Sequence, residues 1–151
     1  MVLLSSSENI NKLRSLVEDL TIRDADVFEL AEILKLTLDH TTDGYWDWNM
    51  VTNYEYLSLG LKKQLGYTDE DMLNNHYSLK SIILEEDLKK MDTELSKHIK
   101  SKGEECFKVI TRFKHKDGHI VKILCRGCVV KWDENGNPIR MVGTHIDITD
   151  L

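Results

Sequence analysis

This chain is short of three things: it has one proline, three cysteines, and no uncharged apolar run beyond a few of its 151 residues. A membrane-spanning helix needs ~20 apolar residues in a row, and a secretory leader needs a basic stretch followed by an apolar one; neither pattern occurs. The expectation is a soluble, cytoplasmic protein with no membrane insertion within this chain. An odd cysteine count without a secretion signal fits reduced thiols and argues against a disulfide framework. Excess positive charge is missing too, since 20 Lys and Arg face 26 Asp and Glu, for a formal net charge of -6. With acids spread along the chain, no basic surface offers to neutralise phosphates, so nucleic acid and anionic lipid are poor partners. There is no glycine-rich phosphate cradle, and no spacing nominates a Ser-His-Asp set or a carboxylate pair. No catalytic residue is assigned, and the chain is read as something other than an enzyme.

What the chain does have is concentrated in its last third. Three β-type runs, residues 104–115, 119–132 and 137–149, are separated by Lys116-Asp117-Gly118 and Asp133-Glu134-Asn135-Gly136. Asp-Gly and Asn-Gly tolerate positive φ where a hairpin reverses, and Val, Ile, Phe, Thr and Cys fill the flanks. The pattern is an antiparallel meander. Its one proline, Pro138, opens the last run, where a missing N–H costs little. Upstream, Tyr45-Trp46-Asp47-Trp48-Asn49 and residues 53–58 read as two further strands, which makes a five-stranded sheet interrupted by helices and an α+β fold. A period of two puts Trp46 and Trp48 on one face with Asp47 on the other, and sets Glu55 and Leu57 opposite Tyr54 and Tyr56. At this length one domain with a real core is expected.

Helical spacing accounts for much of the rest. Ile10, Leu13, Leu16, Val17 and Leu20 recur at helical steps behind a Ser5-Ser6-Ser7-Glu8 cap, and Val27, Leu30, Leu34 and Leu38 do so behind Asp24. Residues 59–65 predict a short helix stopped by Gly66, and Thr68 predicts a fresh cap with Asp69, Glu70 and Asp71 in its first turn. A longer helix is expected from Glu85 or Glu86 to Lys100, with Leu88, Met91, Leu95 and His98 or Ile99 on one stripe.

Several short pieces recur in a fixed order: Gly44-Tyr45-Trp46-Asp47-Trp48, Leu65-Gly66-Tyr67 with Asp69 and Glu70, Glu86-Asp87 and His115-Lys116-Asp117-Gly118. They continue with Arg126-Gly127, Asp133-x-x-Gly136-x-Pro138 and Gly143-Thr144-His145-Ile146-Asp147-Ile148-Thr149. In this order and spacing they resemble a PAS (Per-ARNT-Sim) sensory domain of the subgroup whose first strand carries Trp-x-Trp. The resemblance implies a PAS-type sheet with short helices covering one face. Residues 1–42 would be an N-terminal helical extension, residues 43–149 the PAS domain, and residues 150–151 the start of a linker to a missing effector. It implies sensing of a small ligand or cofactor in a cavity between sheet and helices, relayed to an effector domain in cis. A diguanylate cyclase, a histidine kinase or a chemotaxis-type module would each suit, placing the chain in two-component or cyclic-di-GMP signalling. Chosen by face and family position, the candidate cavity lining is Trp46, Trp48, Leu57, Leu65, Ile82, Ile83, Met91, Ile110 and Val142. Asp147, Ile148 and Thr149 match the motif that links the last strand to the effector, and are the candidate signal relay. The alternative is a ligand-free interaction or dimerisation module whose side chains fill the cavity.

The same resemblance narrows the cofactor. Photoactive flavin-binding relatives carry a cysteine in the helical cover, and residues 59–101 hold none, so a covalent flavin adduct is disfavoured. Haem ligation by a long-helix histidine is disfavoured too, because Met91 and Asp92 stand where that histidine would and His98 lies too near the helix end. Noncovalent flavin and a small metabolite stay open, with Trp46 and Trp48 either stacking on the ligand or serving as ordinary core. His76 reads as a partly exposed polar residue in preference to a haem ligand. Glu55 must pair, bind a polar ligand or sit at the wet end of its strand, and the last is expected. Cys125-Arg126-Gly127-Cys128 has the spacing of a metal or redox pair, yet strand residues three apart face opposite sides, so these cysteines and the solitary Cys106 read as structural and no metal is assigned. The helices within residues 8–40 are expected to cap the outer face of the sheet, either in this chain or against a partner as a homodimer.

Overall fold

The computed structural model describes residues 26–41 and 44–151, together with Asn11, Arg14 and Ser15, which are helical. Apart from those three, the expected first helix lies outside the described residues, as does the expected cap at Asp24. In chain order the elements are α1 (Val27–Thr41), β1 (Gly44–Asn49), β2 (Glu55–Leu57), α2 (Leu59–Gln64), α3 (His76–Lys80), α4 (Glu85–Lys100), β3 (Phe107–Lys114), β4 (Ile120–Trp132) and β5 (Pro138–Asp147). The strands form one five-stranded sheet in the order β2-β1-β5-β4-β3, and every neighbouring pair is antiparallel. β1 therefore lies against β5, which joins the opening hairpin to the closing meander.

Strand alternation decides which side is buried. Trp46, Trp48, Leu57, Phe107, Val109, Phe113, Val121, Ile123, Cys125 and Met141 turn inward and are buried, while Lys108, Lys114, Lys122, Arg126 and Arg140 hold intervening positions and are exposed. A face that is charged at every other residue cannot be dehydrated cheaply, so the helices cover the opposite one. Leu61 and Leu65 in and after α2, Leu79 in α3 and Ile83 complete the core from the helical side. Each fully buried Leu, Ile or Phe of this kind contributes roughly 1.5–3 kcal/mol.

Two anchors fix α4. Asp87, in its first turn, accepts from the Arg112 backbone N–H at 2.7 Å, from Nε at 2.8 Å and from Nη2 at 2.9 Å. At the other end, buried His98 faces the Glu105 carbonyl through Nδ1 at 2.6 Å, and its Nε2 accepts from Val129 N–H at 3.0 Å. The ring thus ties the end of α4 both to the segment leading into β3 and to β4, where the pairing with β5 slips its register just after Val129.

Some local expectations need correction. The cap of α1 is Asp26: its carboxylate accepts from Glu29 N–H at 2.9 Å, and Glu29 answers by accepting from Asp26 N–H at 3.2 Å. Thr68 and Asp71 make the same reciprocal pair at 3.3 Å each way, but it closes a single turn. A longer helix is prevented by tertiary contacts just downstream. Asn74 accepts from Leu57 N–H through its side chain and from Glu55 N–H through its carbonyl, and Asn75 caps α3 by accepting from Ser78 N–H. The segment is thereby held along the β2 edge.

The last turns of α1 meet the outer face of the sheet at β1 and β2, where Lys35, Leu38 and Asp39 share a groove with Tyr45 and Tyr56. Phe28 remains 86% exposed and Ile33, Leu34 and Leu36 about half exposed, as are Ile110 and Val130 on the sheet.

Candidate functional site

The inward face of the sheet and the helices α3 and α4 enclose a cavity of about 40 Å³. At about 10–15 Å³ per site this holds only a few waters. Trp46 and Trp48 form part of its wall because β1 points both indoles inward. Trp46 lies flat across the sheet over Gly143 and Gly127, which face each other in the β4–β5 register. A Cβ on Gly143 would stand 2.2 Å from Trp46 Cζ2 and 2.1 Å from the Arg126 carbonyl oxygen, so the bare backbone at this position makes room for the ring.

The polar groups on the wall fall into two sets. In the first, Glu55 is buried and reaches His76 Nδ1 at 2.9 Å, while the His76 ring stacks on Trp48 with centroids 3.8 Å apart and planes 3° from parallel. Glu55 belongs to β2 and His76 is the first residue of α3, so this pair ties the helical cover to the sheet. In the second, Trp46 Nε1 and His145 Nδ1 are buried side-chain atoms with no hydrogen-bond partner among the described residues. Burial pushes His145 down to about 3, so its imidazole is neutral at physiological pH, and burial together with the Glu55 charge pushes the Cys125 thiol up to about 12. Cys125 Sγ, a weak acceptor, lies toward the Trp46 indole without meeting hydrogen-bond geometry, so the donor stays unmet. An unmet donor and an unmet imidazole nitrogen on one dry wall are costly unless something polar enters.

A family model described as PAS fold matches residues 54–145. The chain belongs to the PAS family. Among solved structures, a sensory box histidine kinase/response regulator from Burkholderia thailandensis E264 is 30% identical over 78% of this chain and 85% of that one, with a TM-score of 0.66. The N-terminal domain of a diguanylate cyclase with PAS/PAC sensor from Marinobacter aquaeolei is 21% identical over 70% of this chain and 94% of that one, with a TM-score of 0.59. A PAS domain from Colwellia psychrerythraea is 19% identical over 81% and 99%, with a TM-score of 0.63. No curated protein matches the chain. The PAS fold seen here is that of sensory modules, and no helix among the described residues is long and apolar enough to cross a membrane.

Within this PAS domain the residues expected at the cavity separate into three groups. Trp46, Trp48 and Met91 line it. Leu57, Leu65 and Ile83 are buried in the same core beside it, and Ile82 packs partly buried against that core. Ile110 and Val142 are corrections: they take the phase opposite to Val109 and Thr111 in β3 and to Met141 and His145 in β5, and so face outward. Glu55 is a correction as well, because it is 4% exposed and paired where a wet strand end was expected. His76 is partly exposed, as expected, and the structure adds its partners: the ring stacks on Trp48 and Nδ1 meets Glu55. Cys125 and Cys128 face opposite sides of β4, one buried and one exposed, and Cys106 is exposed.

The cavity does not fit a flavin or a haem, each of which needs a pocket of several hundred Å³. His98 has no nitrogen to give to iron, since both already meet the backbone. Where β5 ends, Asp147 Oδ1 accepts from Thr149 N–H at 2.9 Å and from the Thr149 hydroxyl. Ile148 N–H donates to the Lys122 carbonyl at 2.8 Å, and Lys122 N–H donates to Thr149 Oγ1 at 3.0 Å, which fastens the exit to β4.

Proposed function

We propose that this PAS domain is a sensor for a small, uncharged, polar ligand that enters between the sheet and α3–α4, and that β5 relays its presence to an effector domain following the chain. The observation that carries this reading is the pair of unmet groups, Trp46 Nε1–H and His145 Nδ1, on the cavity wall. A ligand with an acceptor and a second hydrogen-bonding group would satisfy both. Charge disfavours an ion of either sign: His145 is neutral, Glu55 is engaged by His76, and at the rim Lys80 stands 3.9 Å from Asp92. Met91 and Met141 are adaptable side chains on the wall, so a ligand somewhat larger than the present space can be admitted by rotamer changes.

His145 and Asp147 lie two residues apart on β5 and on the same face, which supports a direct mechanical link from cavity to exit. A shift of β5 that follows the ligand would strain the bonds among Lys122, Ile148 and Thr149. The output it produces is limited by the ligand's difference in affinity for the two states. The histidine kinase and diguanylate cyclase contexts of the similar structures support an effector in cis.

The test is a thermal-shift panel of small polar compounds, read together with tryptophan fluorescence. A hit should raise Tm and perturb the emission of Trp46 and Trp48, and His145→Phe should abolish both effects. A second reading, a ligand-free interaction module, is favoured by the smallness of the cavity and by the exposed apolar side chains on α1 and the outer sheet face. No hit across the panel, with no small molecule released on denaturation, would favour that second reading.

A further inference from the structure

Residues 115–119, His-Lys-Asp-Gly-His, form the β3–β4 turn and bring three metal-competent side chains together away from the cavity. Gly118 takes φ +101°, and His115 N–H donates to the His119 carbonyl at 2.8 Å, so the two histidines face each other across the turn. Their rings stack with centroids 4.2 Å apart. Both direct Nδ1 at the same oxygen: His115 Nδ1 lies 3.0 Å from Asp117 Oδ1, and His119 Nδ1 contacts that atom too. The three ligand atoms all lie within 4.8 Å of one another. The neighbouring cation takes no part, because Lys116 turns to Asp71 at 2.6 Å and lies over the Tyr67 ring.

We propose that His115, Asp117 and His119 form a binding site for a divalent transition metal of the Zn²⁺, Ni²⁺ or Cu²⁺ class, with water completing the coordination. Two imidazoles and one carboxylate suit these borderline ions and suit Mg²⁺ or Ca²⁺ poorly. Ligand atoms around a tetrahedral zinc stand about 3.3 Å apart, given bonds of about 2.0–2.2 Å. The carboxylate oxygen already stands closer than that to both Nδ1 atoms, so admitting an ion needs Asp117 and His119, both exposed, to rotate slightly apart. His115 is the fixed member. Its ring occupies the space where Gly66 lacks a side chain, and a Cβ there would stand 2.3 Å from His115 Cε1. His115 Nδ1 accepts the Asp117 N–H at 3.2 Å, so its lone pair lies on the side of the turn where the carboxylate is, and a metal there would take that lone pair in place of the N–H. Lys116 N–H donates to the Leu65 carbonyl at 3.0 Å, which places the site at the joint between the hairpin tip and the connector after α2. A metal here would stiffen that joint independently of the cavity.

The experiment is isothermal titration of tag-free protein carrying Cys106→Ser and Cys128→Ser, because those exposed thiols would compete for the same ions. Zn²⁺ and Ni²⁺ are the probes and Mg²⁺ is the control. The expected result is one equivalent of Zn²⁺ bound with micromolar affinity. His119→Ala and Asp117→Asn should each weaken binding by at least about tenfold, while His40→Ala leaves it unchanged. Circular dichroism checks that each variant is folded, and amide shifts on adding Zn²⁺ should centre on residues 115–119. Absence of binding at about 1 mM Zn²⁺, or binding that survives both turn substitutions, would overturn the proposal.

Discussion

Asp87 shows how one carboxylate ties a helix to a strand. Held by the Arg112 guanidinium first, then by the Arg112 backbone N–H and by Lys90, it stays ionised far below the usual carboxylate range. Its folded-state pKa lies below the unfolded value of about 3.9. The stabilisation it gives is therefore complete above about pH 4 and is lost as pH falls through the lowered folded value. Asp87→Asn should flatten the acid limb of stability, which urea midpoints measured through the acid range would show; an unchanged slope would mean the pair contributes little. Gly143→Ala tests a different cause. Its Cβ would collide with both the Trp46 indole and a backbone carbonyl that cannot move aside, so a loss of about 3 kcal/mol or more in denaturant unfolding is expected. A loss below about 1 kcal/mol would show that the ring has another place to go.

At the scale of elements, strand phase is where the sequence spoke most clearly. Trp46 and Trp48 were legible from period two alone. Ile110 was misplaced although the signal was available: Lys108, Arg112 and Lys114 share its phase in β3, and Phe107, Val109 and Phe113 hold the buried one. Arg140 carries the same message for Val142, since it pairs across the outer face with Asp47 of β1. The pairing of Glu55 with His76 was illegible for another reason. A buried carboxylate is tolerable only with a partner, and this one comes from α3, 21 residues away in sequence. The Thr68 cap misled because local hydrogen bonding starts a turn, whereas contacts with β2 decide whether it continues. α1 leaves Phe28, Ile33, Leu34 and Leu36 exposed, the apolar face on which the homodimer reading rests. Sedimentation of the chain with and without residues 1–40 tests it: the homodimer reading predicts a dimer becoming a monomer. Equal masses for both would end the dimer reading.

For the whole molecule, the account joins three places that the sheet holds in one piece: the Glu55–His76 bridge at the cover, the unmet Trp46 and His145 groups at the cavity, and the Asp147–Thr149 exit. The central claim is that filling the second changes the third. Amide hydrogen exchange at Ile148 and Lys122 tests this most directly, because Ile148 N–H donates to the Lys122 carbonyl and Lys122 N–H donates to Thr149 Oγ1. With a compound that raises Tm and perturbs the cavity tryptophans, the account predicts altered protection at both amides, and no such change when the same compound meets the His145→Phe variant. Binding that leaves both amides at their ligand-free exchange rates would contradict it.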